Sequence, residues 1–280
     1  MKPPKTTKIY RNTTRRWTLL LAAALCTAGA LQAQIISEQF DYPANDPLPG
    51  ANGGIGFGGA WAQESVFPGG ILFYSIADSL TYPGVAEVGN RLSFFGGNGA
   101  SPSDPPVAFF EKVNRPFAST IGPGTYTFYY LFEVATPADL FYSDFQLLGT
   151  ESNLRLHFQK FVVSDDPTEL LVEDNATNLF LNAGTNLIYG QLTLNGVGNN
   201  DSLSIWMNPD ITNPGTPGYT LSSFDYGLLT GIELTAQSFD TISSGAISYD
   251  AITIIPEPPI HGLLIGGMVF LLALIRRRLA

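Results

Sequence analysis

Any chemistry in this chain of 280 residues must be built from 24 acidic side chains, two histidines and one cysteine. His157 is the histidine of the central segment and His261 lies in an apolar tail, so a two-histidine metal site is excluded from the body. A Ser/His/Asp triad would depend on His157. It falls in Asn153–Lys160 (NLRLHFQK), where Arg155, His157 and Gln159 share one face of a strand, the pattern of a solvated polar face. Glycoside cleavage needs two carboxyl groups about 5 Å or about 6.5–9.5 Å apart. The Glu-x-Asp-x-x-Glu strand that would supply them is absent, and Glu169, Glu173, Asp174 and Asp165-Asp166 read as turn and surface residues. Oxygen donors for calcium are offered by Asp41 and Asp46 and by Asn200 and Asp201, without a loop of fixed ligand spacing. Trp61, Trp206, Tyr126 and Tyr130 are candidates to stack on sugar rings. Of these Trp206 stands out, because it shares the polar face of its strand, opposite Leu203, Ile205 and Met207.

The charge that surrounds these residues is segregated. Six basic residues lie in the first 16 positions and Arg276, Arg277 and Arg278 near the end. Between them stand five basic residues against all 24 acidic ones. So acidic a body repels phosphates and excludes nucleic acid as a partner. At the N-terminus, Arg15-Arg16 precede the apolar run Trp17–Leu31 and small residues, the composition of an export signal over residues 1–33 with cleavage after Ala30 or Ala33 by signal peptidase. Thr18 weakens a twin-arginine reading and Leu25 a lipoprotein reading of Cys26, which leaves the general secretory machinery. Cleavage removes Cys26, so the exported body would hold no thiol and no disulfide.

The segment 34–255 reads as one all-β domain. Alternation of period two recurs, as in Thr125–Val134 (TYTFYYLFEV), where Tyr126, Phe128, Tyr130, Phe132 and Val134 share a face. About a dozen such runs, separated by Gly, Pro, Asn and Asp, predict an antiparallel sandwich. The glycine-rich run Gly53–Trp61 invites comparison with a phosphate loop, yet no helix pattern or Gly-Lys-Ser/Thr follows it. A long loop laid over the sandwich and anchored by Trp61 is the better expectation.

Residues 256–280 carry the most specific pattern in the chain. Pro256-Glu257-Pro258 opens an exposed joint, Ile260–Ile275 is long enough for a short transmembrane helix of about 24 Å, and the three arginines would stop it at the cytoplasmic face. This tripartite end resembles the PEP-CTERM sorting signal of Gram-negative bacteria that make exopolysaccharide. The resemblance implies an exosortase-type membrane enzyme as partner, acting near Pro256, Glu257 and Pro258. A plain tail anchor is the alternative. The body resembles secreted proteins with a concanavalin A-like, laminin-G-like jelly roll, through Glu38–Pro43 (EQFDYP), Gly53–Trp61, Leu187–Leu194 with Asp201–Pro209, and Ser248–Ile254. That likeness implies a jelly-roll sandwich often used to bind glycans.

The expectation is therefore an exported protein, anchored by its C-terminal helix until processed and then displayed at the cell surface. It would bind or structure extracellular polysaccharide without catalysis, with no certain cofactor beyond candidate Ca2+. The alternative is a secreted hydrolase or lyase on the same scaffold.

Overall fold

The computed structural model describes residues 35–67, 72–86, 89–94, 109–134, 141–160, 168–196, 198, 200–238 and 247–257. The expected signal segment with Ala30 and Ala33, Pro258, the helix 260–275 and Arg276, Arg277 and Arg278 lie outside the described residues. No described helix is long and apolar enough to cross a membrane.

Among the described residues, fifteen strands run in chain order: β1 (Ile36–Glu38), β2 (Ala62–Phe67), β3 (Phe73–Ile76), β4 (Arg91–Phe94), β5 (Phe109–Ile121), β6 (Gly124–Val134), β7 (Phe141–Gly149), β8 (Leu154–Lys160), β9 (Glu169–Val172), β10 (Asn175–Phe180), β11 (Thr185–Leu194), β12 (Asp201–Met207), β13 (Tyr219–Phe224), β14 (Leu229–Ser238) and β15 (Ile247–Pro256). They form two antiparallel sheets. One has eight strands in the order β13-β12-β11-β6-β15-β4-β3, with β1 also paired to β15; the other has seven, β10-β9-β8-β7-β14-β5-β2.

The aromatic alternation closes the sandwich. Phe128, Tyr130 and Phe132 of β6 point inward and are buried, as are Phe145 of β7 and Phe158 of β8. Tyr130 stacks on Phe145 at 4.4 Å between ring centroids, and Phe132 on Phe158 at 4.9 Å. Such offset pairs add to the area they bury and select one alignment of the two sheets. The strands that alternation misses, β1, β2, β10 and β13, are three residues long or lie at sheet edges. An edge strand with solvent on more than one side has no need of a strict apolar face.

The glycine-rich loop is laid over the sandwich and anchored by Trp61, which is 2% exposed and stacks on Phe40 at 6.1 Å. Gly56 takes a φ of +84°, and a Cβ there would stand 2.5 Å from Ile36 Cδ1. Beneath the loop, Glu38 and Arg115 are both fully buried and form an ion pair. Glu38 also accepts from the Phe40 backbone N–H (2.8 Å), Tyr42 OH (2.8 Å) and Trp61 Nε1–H (3.2 Å). Arg115 donates to Gly59 O (2.8 Å) and Gly53 O (2.6 Å), and its guanidinium lies 4.2 Å from the centre of the Phe57 ring. The loop is thus tied to β5 through Arg115, whose Nη2 also donates to Asn52 Oδ1 at 2.9 Å.

One expectation is corrected at the C-terminal end of the body. Pro256, expected to lie outside the sheet, is the last residue of β15, paired with Tyr126 of β6 and half-buried, while Glu257 beside it is exposed. Glu257 donates its backbone N–H to Thr125 O at 2.8 Å and receives the Thr127 hydroxyl on its carboxylate. Amides along a strand point alternately to either side, so with Glu257 facing β6 the missing N–H of Pro256 faces away. On that side β1 and β4 do not reach it, and the ladder loses nothing.

Candidate functional site

The outer face of the seven-stranded sheet gathers the ionisable side chains that alternation turns away from the core. Phe145 and Leu147 of β7 point inward, so Tyr142, Asp144 and Gln146 point out. Leu154, Leu156 and Phe158 of β8 do the same for Arg155 and His157, and Ile232 and Leu234 of β14 for Glu233. Register then sets these residues side by side. Asp144 lies directly opposite Thr235 on one neighbour and His157 on the other, while Gln146 lies between Glu233 and Arg155.

Arg155 organises this cluster. Its Nε donates to Asp144 Oδ2 at 2.9 Å and its Nη1 to Asp174 Oδ1 at 3.0 Å, and Nη2 bonds the Tyr142 hydroxyl. Asp174 reaches it because Glu173 and Asp174, at φ of 48° and 62°, make the tight turn between β9 and β10. Asp144 Oδ2 also accepts from Tyr142 OH (2.9 Å) and Gln146 Nε2 (2.8 Å). Its second oxygen, Oδ1, is buried without a hydrogen-bond partner, and so is Nδ1 of His157. Burial, with the Arg155 charge behind it, pulls the His157 pKa down against the pull of Asp144 and Asp174, so the imidazole is neutral at pH 7.

Beside this cluster, Lys112 donates to Glu233 Oε2 at 2.9 Å and stands 3.4 Å from Glu64. Burial pushes the Glu233 carboxyl up to about 7, outweighing Lys112, and contact with Glu64 adds to the rise. Glu233 Oε1 is a third buried polar atom without a partner. The other deeply buried carboxylates are saturated by comparison. Glu111 accepts from Gln63 and from the backbone N–H groups of Leu72 and Phe73, and Asp250 from those of Leu80 (2.8 Å) and Ala251 (2.7 Å).

The residues singled out by sequence fare unequally. His157 shares its face with Arg155 and Gln159 but is 1% exposed, so the solvated histidine is corrected to a buried one. Trp61 is corrected too: its ring is consumed by Phe40 and Glu38 and has no face left for a sugar. Tyr130 is core, and the Tyr126 hydroxyl bonds Gly122 O at 2.8 Å. Trp206 does point outward and is half-buried.

At the calcium candidates Asn200 and Asp201 the carboxylate is already engaged by the backbone. Asp201 is buried, and its oxygens accept from the backbone N–H groups of Asn195 (2.8 Å) and Tyr226 (2.9 Å). Asp41 and Asp46 are exposed, and no three His, Cys, Asp or Glu side chains gather into a metal site among the described residues. Asp144 and Glu233 were not singled out by sequence. The available signal was their position: each is an acid in the middle of an apolar alternating run, where a turn residue has no business.

No known family's model matches the chain, and no curated protein matches it. Solved structures do. The chain is similar to Rv0315, an immunostimulatory antigen and pseudo beta-1,3-glucanase of Mycobacterium tuberculosis, at 10% identity over 80% of this chain and 99% of that one, with a TM-score of 0.46. It is similar to the beta-glucanase of Bacillus licheniformis at 12% identity over 76% and 99%, TM-score 0.39. It is also similar to lectin II from Ulex europaeus at 8% identity over 78% and 97%, TM-score 0.36.

Proposed function

We propose that this is an exported, exosortase-sorted surface or matrix protein whose β-sandwich binds extracellular polysaccharide without cleaving it, through the outer face of the seven-stranded sheet. The observation that carries the reading is the pair of unpartnered acceptors, Asp144 Oδ1 and His157 Nδ1, on directly opposite residues of β7 and β8. A buried acceptor left unpaired costs about 1–3 kcal/mol. A polyol hydroxyl supplies the donor that each acceptor lacks, on condition that the side chains covering the two buried atoms open to admit it. Arg155, Tyr142 and Gln146 hold Asp144 in one orientation, which spares the ligand the entropy of ordering it.

The full chain, screened on a glycan array with and without calcium, is expected to retain at least one polysaccharide, and Asp144→Asn to lose it. Retention that survives Asp144→Asn would move the site elsewhere. A second reading, a hydrolase or lyase, has its own support. Glu233 lies two residues from the partner of Asp144 on the same face, a diagonal spacing of about 7–8 Å. A carboxyl raised to about 7, with a second carboxyl at that spacing, is the arrangement of an inverting glycosidase. Release of reducing sugar from a bound glycan, abolished in Glu233→Gln, would establish that reading over the non-catalytic one.

A further inference from the structure

The outer face of the eight-stranded sheet has a different chemistry. Register lines up Trp206 of β12, Tyr189 of β11, Tyr129 of β6 and Thr253 of β15 in one row across four strands. The next row is Ser204, Gln191 and Thr127, and the one beyond it Ser202, Thr193 and Thr125. These three rows contain no ionisable group other than the tyrosine phenols, in a body with 24 acidic residues. The carboxylate of Glu257 borders them at Thr127 and is engaged by that hydroxyl.

Tyr129, Tyr189 and Trp206 are each half-buried, with ring surface left to solvent. Tyr189 and Trp206 meet edge to face, centroids 5.5 Å apart, and the indole N–H is fixed on Gly215 O at 3.1 Å. On the far side of the row the sheet is roofed. Leu80 and Val85 pack there on Leu131, Leu187 and Ala251, with Tyr82, Ile211 and, from the row itself, Tyr129 and Tyr189 against them. Tyr82 OH bonds Pro209 O at 3.1 Å, which joins the two covering loops. The aromatic row therefore runs along the foot of a ledge, with an open floor of hydroxyl and amide groups beside it.

We propose that this ledge and floor form a second carbohydrate-binding surface, which takes an uncharged polysaccharide laid along the Trp206–Tyr189–Tyr129 row. Aromatic rings offer apolar surface with an electron-rich face to the C–H side of a sugar. Hydroxyl and amide groups both donate and accept, which matches sugar hydroxyls without fixing their orientation. Uronate and sulfate polymers gain nothing from a surface that carries no cation, and the acid surplus of the body repels them. The surface shares no residue with the Asp144 cluster and lies on the other sheet, so it stands whether or not that cluster binds glycan.

The test is depletion of the full chain from solution by insoluble neutral glucans and mannans, with alginate as the charged control. Retention on a neutral polymer and none on alginate is expected. Trp206→Ala should weaken retention roughly three- to tenfold. Gln191→Glu, at an exposed position that leaves the fold intact, should weaken it as well by placing a charge on the floor. Glu151→Gln, exposed in a turn outside both sheet faces, should leave it unchanged. Failure to bind any neutral polymer, or retention indifferent to both Trp206→Ala and Gln191→Glu, overturns the proposal; loss in Asp144→Asn alone would assign the binding to the other sheet.

Discussion

At the scale of single residues, the body treats its buried charges in two ways. Glu38 and Arg115 are fully buried and fully used, each bonded to several groups of the glycine-rich loop and β5. Removing one member strands the other, a loss worth about 3–5 kcal/mol for a buried pair. Arg115→Met is therefore expected to lower unfolding free energy by about that amount in urea titrations. The double variant Glu38→Gln with Arg115→Met should recover part of it, since no charge is then left unpaired. A single variant within 1 kcal/mol of wild type, roughly the worth of an exposed pair, would show the ion pair to be dispensable. Asp144 and His157 are the other kind, ordered by neighbours yet left with open acceptors. That contrast separates buried groups whose polar atoms are all bonded from buried groups with an atom left over.

At the scale of elements, the eight-stranded sheet depends on close fit between β6 and β11. Gly190 faces inward opposite Phe128, and a Cβ there would fall 2.2 Å from the Phe128 ring. The ring occupies the space that a side chain would need, and it also stacks on Phe145 of the other sheet, 6.4 Å away. Gly190→Val should therefore push Phe128 off its partner and cost about 1–3 kcal/mol by overpacking. A lowered melting temperature together with a changed near-ultraviolet circular dichroism signal would register both effects. Unchanged stability would mean that the two sheets can slide apart locally at no cost. The end of β15 belongs to the same scale. Thr127 and Thr125 hold Glu257 on the sheet, so the processing proposed above would require the end of β15 to be peeled away if it acted at Pro256.

At the scale of the whole molecule, pH acts through the buried acids. Glu233 and Asp250 both have carboxyl groups raised to about 7, chiefly by burial, against an ordinary range near 4. The folded protein thus holds protons that the unfolded chain releases between about pH 4 and pH 7, and stability contributed by these groups falls as pH rises through that window. His157 works in the opposite direction, because its pKa is lowered: the unfolded chain takes up a proton below about 6.5 that the folded one refuses. These acids, with Glu111 and Glu173 raised by burial in the same direction, outweigh one imidazole and predict a melting temperature that declines from pH 5 to pH 7 in calorimetry. In Glu233→Gln the decline should be shallower, and an identical slope would remove Glu233 from the account.

What the order of residues determines alone is the local pattern: which side chains alternate, that aromatics fill the face turned inward in Thr125–Val134, and that the glycine run must be a loop held by Trp61. Period-two alternation is a property of neighbours along the chain, so it survives without any knowledge of partners. It says which face a side chain takes, and not what lies beside it on the next strand. The meeting of Asp144 with His157 and Arg155, the diagonal to Glu233, and the row of Trp206, Tyr189 and Tyr129 all come from strand order and register. Those are set by contacts tens of residues apart, between runs that read alike in isolation, and only the packed sandwich decides among them.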